Sequence, residues 1–199
     1  MADDLPSDAV HATTRADWRA WLEANHERGG GVWLVSYKQA TGKPRLTYDE
    51  AVEEALCFGW VDSKPRKLDD ERTMLWYAPR KLGSGWSRPN KERVARAEAA
   101  GAMAPAGAAK VAAAKRDGTW TMLDAVEALE VPSDLATAFA AYPDAARRFD
   151  AFPRSAKRGI LEWIVQAKTP GPRRKRVEET ARLANDGVRA NQWRKTGGG

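Results

Sequence analysis

One cysteine among 199 residues, Cys57, excludes an internal disulfide and fits a reducing compartment. Histidine is almost as scarce. His11 and His26 stand fifteen residues apart, His26 and Cys57 thirty-one, and neither interval matches a zinc-ligand spacing, so no metal site is expected. GxGxxG, GxxxxGK[ST], GxSxG and HExxH are all missing, so no cofactor is expected and nucleotide, hydrolase and metalloprotease chemistry have no motif behind them. No apolar run approaches the roughly 20 residues that a membrane helix needs. The opening "MADDLPSDAVHATTRADW" carries acids and a proline where a signal peptide needs basic residues and then an apolar stretch, so a cytoplasmic protein is expected.

What is present is a chain with 43% hydrophobic residues, nine tryptophans and a net charge of +6. The charge is uneven. From Arg154 onward 12 basic residues face 4 acidic ones, net +8, while the remaining 153 residues carry net −2. Such a basic quarter favours anionic partners, whether phosphorylated metabolites, nucleic acid or acidic lipid surfaces; the plainer reading is a solvated helix face.

Periodicity and turn chemistry give the elements. Thr14 and Asp17 have the spacing of a capping box, and Trp18, Trp21 and Leu22 fall on one helical face before Gly29 to Gly31 stop the helix. "VWLVSYK" reads as a strand. Thr47 and Glu50 form a second capping box and open "YDEAVEEALCFGW". "WVDSKPRKL" and "RTMLWYAP", joined by the acidic "DDE", read as a hairpin, so the expectation is a small antiparallel sheet of about three strands with packed helices. From Asn90 the chain reads as helical, with Thr121 and Asp124 as a third capping box and Pro132, Pro143 and Pro153 as punctuation. "PGP" at 170–172 is expected to break the chain before a basic helix. The expected organisation is an α+β domain over 1–118, a helical region over 119–187 and a disordered tail over 188–199.

Cys57 reads as packed core, because a helix C-terminus disfavours a thiolate. Asp62, directly after a helix-to-strand junction, is the carboxylate to watch as an acid or base; its plainer role is to cap a turn. The most unusual stretch is "YAPRKLGSGWSRPNKERV", with five positive side chains and one acid between Tyr77 and Val94. Gly83 and Gly85 free the backbone to converge N–H groups on one point, a helix start near Asn90 adds its positive dipole end, and Arg80 and Lys91 add charge, which together describe an oxyanion pocket. The structural alternative is that Ser87 or Asn90 caps the helix, Trp86 plugs the sheet and Arg80 pairs with Asp62, Asp69 or Asp70. Trp76 and Trp86 flank the basic loop, where stacking on a base is the nucleic-acid alternative.

"ALCFGWVDS", the block from Arg80 to Gly107, and "ILEWIVQAKT" with "RRKRVEE" resemble the bacterial YdeI/OmpD-associated family, also called bacteriocin-protection proteins, over residues 18 to about 185. The resemblance implies a small α+β protein linked to tolerance of bacteriocins or cationic antimicrobial peptides, with no reaction to transfer. Asp62, Ser63, Pro79, Arg80, Ser84 and Trp86 match the family motif, as do Ser87, Asn90, Gly101, Met103 and Gly107. "AKTPGPRRKR" departs from it by a Pro-Gly-Pro insertion. Three functions compete: a non-enzymatic protein that recognises an anionic ligand, with Asp62, Ser63, Arg80, Ser84, Trp86, Ser87, Asn90 and Lys91 as binding candidates; an enzyme on a phosphorylated or carboxylated small molecule, with Asp62 as base and Arg80 as clamp; and a nucleic-acid binder using the basic C-terminal helices.

Overall fold

Local signals place the first elements where the sequence puts them. In the structure, a computed structural model that describes residues 5–192, helix α1 (Arg15–Asn25) opens at Thr14 and helix α2 (Tyr48–Cys57) opens at Thr47, each with a complete capping box. Strand β2 (Val32–Tyr37) and the hairpin of β3 (Trp60–Lys67) and β4 (Arg72–Pro79) also form as expected. The fold is α+β, and the sheet has four strands in the order β1-β2-β4-β3. The strand beyond the expected three is β1 (Ala9–His11), which pairs parallel to β2 through Ala9↔Trp33 and His11↔Val35. Three residues carry no readable alternation, so only the partner strand defines it.

Two compact units divide the described chain. One runs to Ser84 and resumes over Pro89–Trp120; the other takes Gly85–Arg88 and continues from Thr121. In the first unit one sheet face carries Leu34, Leu75 and Tyr77, with α1 and α2 supplying Trp18, Leu22, Val52 and Leu56 to the core. Trp18 packs edge-on to Tyr77 at 5.3 Å and its indole N–H donates to the Ala51 carbonyl at 3.0 Å; the Trp60 indole donates to the His26 carbonyl at 3.0 Å. Both fully buried indoles are thereby satisfied. Helix α3 (Arg88–Ala99) starts two residues before Asn90, and Pro89 is tolerated in the first turn because an N–H there has no helical acceptor anyway. Asn90 therefore lies inside the helix rather than capping it. Helix α4 (Pro105–Asp117), Ala-rich and short of apolar bulk, packs tightly on α2: Gly107 comes so close to the Cys57 and Leu56 carbonyls that no Cβ fits.

The second unit is helical: α5 (Asp124–Glu127), α6 (Ser133–Phe139), α7 (Ala145–Asp150), α8 (Arg154–Val165) and α9 (Pro170–Asn185) surround Leu135, Phe149, Ile160, Leu161, Ile164 and Ala181. The third expected capping box does not open a helix. The chain turns up to Leu123, which is buried and serves as the cap, and α5 is only four residues long. "PGP" starts α9 rather than breaking the chain, with Thr169 extended as its cap and a proline in the first turn. Of the tail expected from 188 on, Val188 donates its N–H to the Leu183 carbonyl and Ala190 is buried in the core; residues 193–199 lie outside the described residues.

Candidate functional site

The densest charge cluster of the first unit was not foreseen. Glu53 and Glu54, adjacent on α2, are both buried, and arginines of α1 and α3 converge on them. Arg15 bonds both carboxylates, Arg19 bonds Glu54 at 2.7 Å and the Ala102 carbonyl at 3.0 Å, and Arg96 bonds Glu53 at 2.8 Å and Asp49 at 3.3 Å. The pair of carboxylates drives the Arg15 guanidinium well above its ordinary pKa. The signal was present, since two consecutive acids in a helix with a buried stripe need cations from its neighbours. Each arginine keeps part of its surface in water, so the cluster ties α1 and α3 to α2 without burying a bare charge. Cys57, one turn further on, is buried as expected, and desolvation pushes its thiol up to about 11.

Asp62 lies on the same sheet face as Tyr77, its register partner on β4, and accepts a hydrogen bond from the Tyr48 hydroxyl at 3.0 Å. Arg93 pairs with Asp49 at 2.7 Å and sits 5.6 Å from the Tyr48 ring. Tyr77 is fully buried, yet its hydroxyl has no hydrogen-bond partner among the described residues. Burial, reinforced by the Asp62 charge, lifts its pKa far above the tyrosine range, so it is a neutral donor at any physiological pH. Ser63 sits at the register shift between Asp62 and Pro65 and faces solvent.

Above this face, between the sheet and the chain entering α2, is a cleft of about 300 Å³. Leu34 and Leu75, partners across β2 and β4, form its floor with Tyr77, and Leu46 and Ala51 line its other wall. Arg45 and Lys38 also line it. Lys38 donates to the Asp69 and Asp70 carbonyls at 3.0 and 2.8 Å, whereas half-buried Arg45 has no hydrogen-bond or ion-pair partner among the described residues.

The residues of the basic loop divide between the two units. Arg80 is 6% exposed; its guanidinium donates to the Ser84 carbonyl at 3.3 Å, its backbone N–H donates to the Gly59 carbonyl, and burial draws its pKa down to about 10. The acids named as its partners are engaged elsewhere: Asp62 with Tyr48, Asp69 with Arg72 and Asp70 with Lys67. Asn90 accepts from Arg93 at 2.9 Å, and Lys91 lies 5.5 Å from the Trp120 ring. Gly83 has φ +76, a left-handed corner open to glycine, whereas Gly85 is not among the glycines of positive φ. Trp86 and Ser87 go with the second unit, where Trp86 is buried to 1% exposure and so offers no ring face to a base. Trp76 is half-buried and packs edge-on to Trp33 at 5.1 Å.

In the second unit an apolar groove of about 600 Å³ is lined by Phe139, Tyr142 and Phe149, with the Lys157–Asp150 pair at its edge. The basic run of α9 is partly used by the fold. Arg173 forms two hydrogen bonds to Asp134, and Arg176 bonds the Trp163 carbonyl and covers its ring at 5.2 Å; Arg174 and Lys175 face solvent. No described helix is long and apolar enough to cross a membrane, and no described cluster of His, Cys, Asp or Glu is arranged to hold a metal ion.

Residues 128–187 match the family model described as "Bacteriocin-protection, YdeI or OmpD-Associated", so the helical segment is of the YdeI/OmpD-associated, bacteriocin-protection type. The sheet-bearing part matches a different model. Residues 10–110, more than half of the chain, match the family described as "Domain of unknown function (DUF8412)", and the chain belongs to that family. No curated protein and no solved structure matches it. The resemblance expected over residues 18 to about 185, with its most specific block at Arg80 to Gly107, is thus found at 128–187, and that block falls in the stretch of the other family.

Proposed function

We propose that the protein is a non-enzymatic binding protein that acts in tolerance of bacteriocins or cationic antimicrobial peptides. The observation that carries this reading is the bacteriocin-protection match over residues 128–187. A chain of net charge +6 repels a cationic peptide at long range, which favours indirect protection through an anionic ligand over sequestration of the peptide. In this reading the 80–91 segment meets the anion. Arg80 braces the turn through the Ser84 carbonyl, Gly83 gives it its left-handed corner, and Lys81, exposed, and Lys91, half-buried, supply the charge.

The test is survival of a bacteriocin-sensitive bacterium expressing the wild-type chain or the Lys81→Ala/Lys91→Ala double variant, at matched protein levels. The wild type raises survival and the double variant raises it less. No gain from the wild type removes the tolerance role, and equal gains from both remove the 80–91 segment as its anion site.

A further inference from the structure

We infer that the cleft between α2 and the sheet is a binding site for a small organic carboxylate with an apolar body and a hydrogen-bonding group at its far end. This goes beyond the tolerance reading and stands without it. The order of groups along the sheet face sets the ligand's order. Ser36 pairs with Thr73, Leu34 with Leu75 and Val32 with Tyr77, so the face runs from a polar end, where Lys38 leaves β2, across two leucines to a tyrosine. Thr73 and Tyr77 stand four positions apart on β4, about 13 Å at a strand's rise. An elongated molecule therefore fits this face better than a compact ion.

Two features of the cleft lack a partner among the described residues, and one ligand completes both. The Tyr77 hydroxyl is fully buried and unpartnered among the described residues, a cost that a folded chain normally avoids. Arg45 is a half-buried residue whose guanidinium has no described carboxylate to offset it. The nearby acids are engaged: Glu50 holds Thr47, Glu71 pairs with Lys43, and Asp62 holds Tyr48. Lys38 already directs its ammonium at two carbonyls, so among the described residues lining the cleft Arg45 is the cation with its donors open. A single carboxylate meets it, and bidentate pairing suits a guanidinium. Between the two ends the walls are Leu34, Leu46, Ala51 and Leu75, which take an aromatic or aliphatic body.

The experiment is isothermal titration calorimetry of the full chain with 3-(4-hydroxyphenyl)propionate, 3-phenylpropionate and the uncharged 3-(4-hydroxyphenyl)propan-1-ol. The wild type binds the hydroxylated carboxylate, and loses about tenfold in affinity when either the phenol or the carboxylate is removed. Tyr77→Phe abolishes the preference for the phenol, and Arg45→Gln abolishes the preference for the carboxylate while leaving the alcohol unchanged. The inference is overturned if the wild type binds none of the three at millimolar concentration, or if either variant retains the wild-type preferences. The readout is independent of the survival assay, so either reading can fail alone.

Discussion

Replacing Gly107 with alanine should destabilise the first unit, although alanine is the better helix former. The glycine lies in α4, where alanine gains about 1 kcal/mol in helix propensity. Against that gain, its Cβ would fall within 2.7 Å of the Leu56 carbonyl oxygen and closer still to the Cys57 carbonyl. These are backbone atoms at the end of a buried helix, with no rotamer to give way, so α4, whose Val111 and Ala114 are buried too, must lift off α2. Overpacking against rigid atoms costs about 3 kcal/mol, at the upper end of the usual range. The net loss is then about 2 kcal/mol, or roughly 4–8 °C in Tm for a chain of this length. Gly159 is the control. It also lies inside a helix, α8, but a Cβ there meets nothing within 4 Å, so Gly159→Ala should gain about 0.5–1 kcal/mol. Urea denaturation followed by far-ultraviolet circular dichroism measures both. A Gly107→Ala protein as stable as the wild type refutes the close approach of α4 to α2.

Three further outcomes are expected. Tyr77→Phe removes a buried hydroxyl with no described partner, so in the ligand-free protein it should cost nothing or add stability; a loss above about 1 kcal/mol in denaturant titration would show a hydrogen bond where none is seen. The Cys57 thiol, pushed up to about 11 and buried, should resist iodoacetamide at about pH 8 in the folded chain and react once unfolded in urea; rapid labelling of the native protein would contradict its packing. Glu127 is held below its ordinary pKa of about 4.5 by hydrogen bonds from Arg158, so its pair contributes fully above that value and is lost as pH falls through the lower folded value; Glu127→Gln should flatten the acid limb of the stability curve, and an unchanged slope below about pH 4.5 would contradict the pairing.

The parts of the fold legible in the sequence were those fixed by neighbours along the chain. Thr14 with Asp17 and Thr47 with Glu50 sit three residues apart, and both boxes form. The same spacing at Thr121 and Asp124 misled, because burial of Leu123 holds that stretch in a turn. Ser87 and Asn90 are both cap candidates by sequence; the helix begins at Arg88, directly after Ser87, and takes Pro89 and Asn90 into its first turn. Strand β1 is defined only by its pairing with β2, and the acid–arginine cluster joins α1, α2 and α3 across separations of 38 and 43 residues. The cleft was illegible for the same reason. No motif marks Arg45, and by sequence Tyr77 belongs to the basic stretch that it begins; strand register sets Tyr77 beside Asp62 and in line with Leu34 and Leu75.

The most direct measurement of the cleft as a binding site is a crystal structure of the full chain grown with saturating 3-(4-hydroxyphenyl)propionate. The compound is expected to lie along the Leu34 and Leu75 floor, its carboxylate within hydrogen-bond distance of the Arg45 guanidinium and its phenol bonded to the Tyr77 hydroxyl. An empty cleft, or the compound bound elsewhere with the Tyr77 hydroxyl still unpartnered, would contradict it.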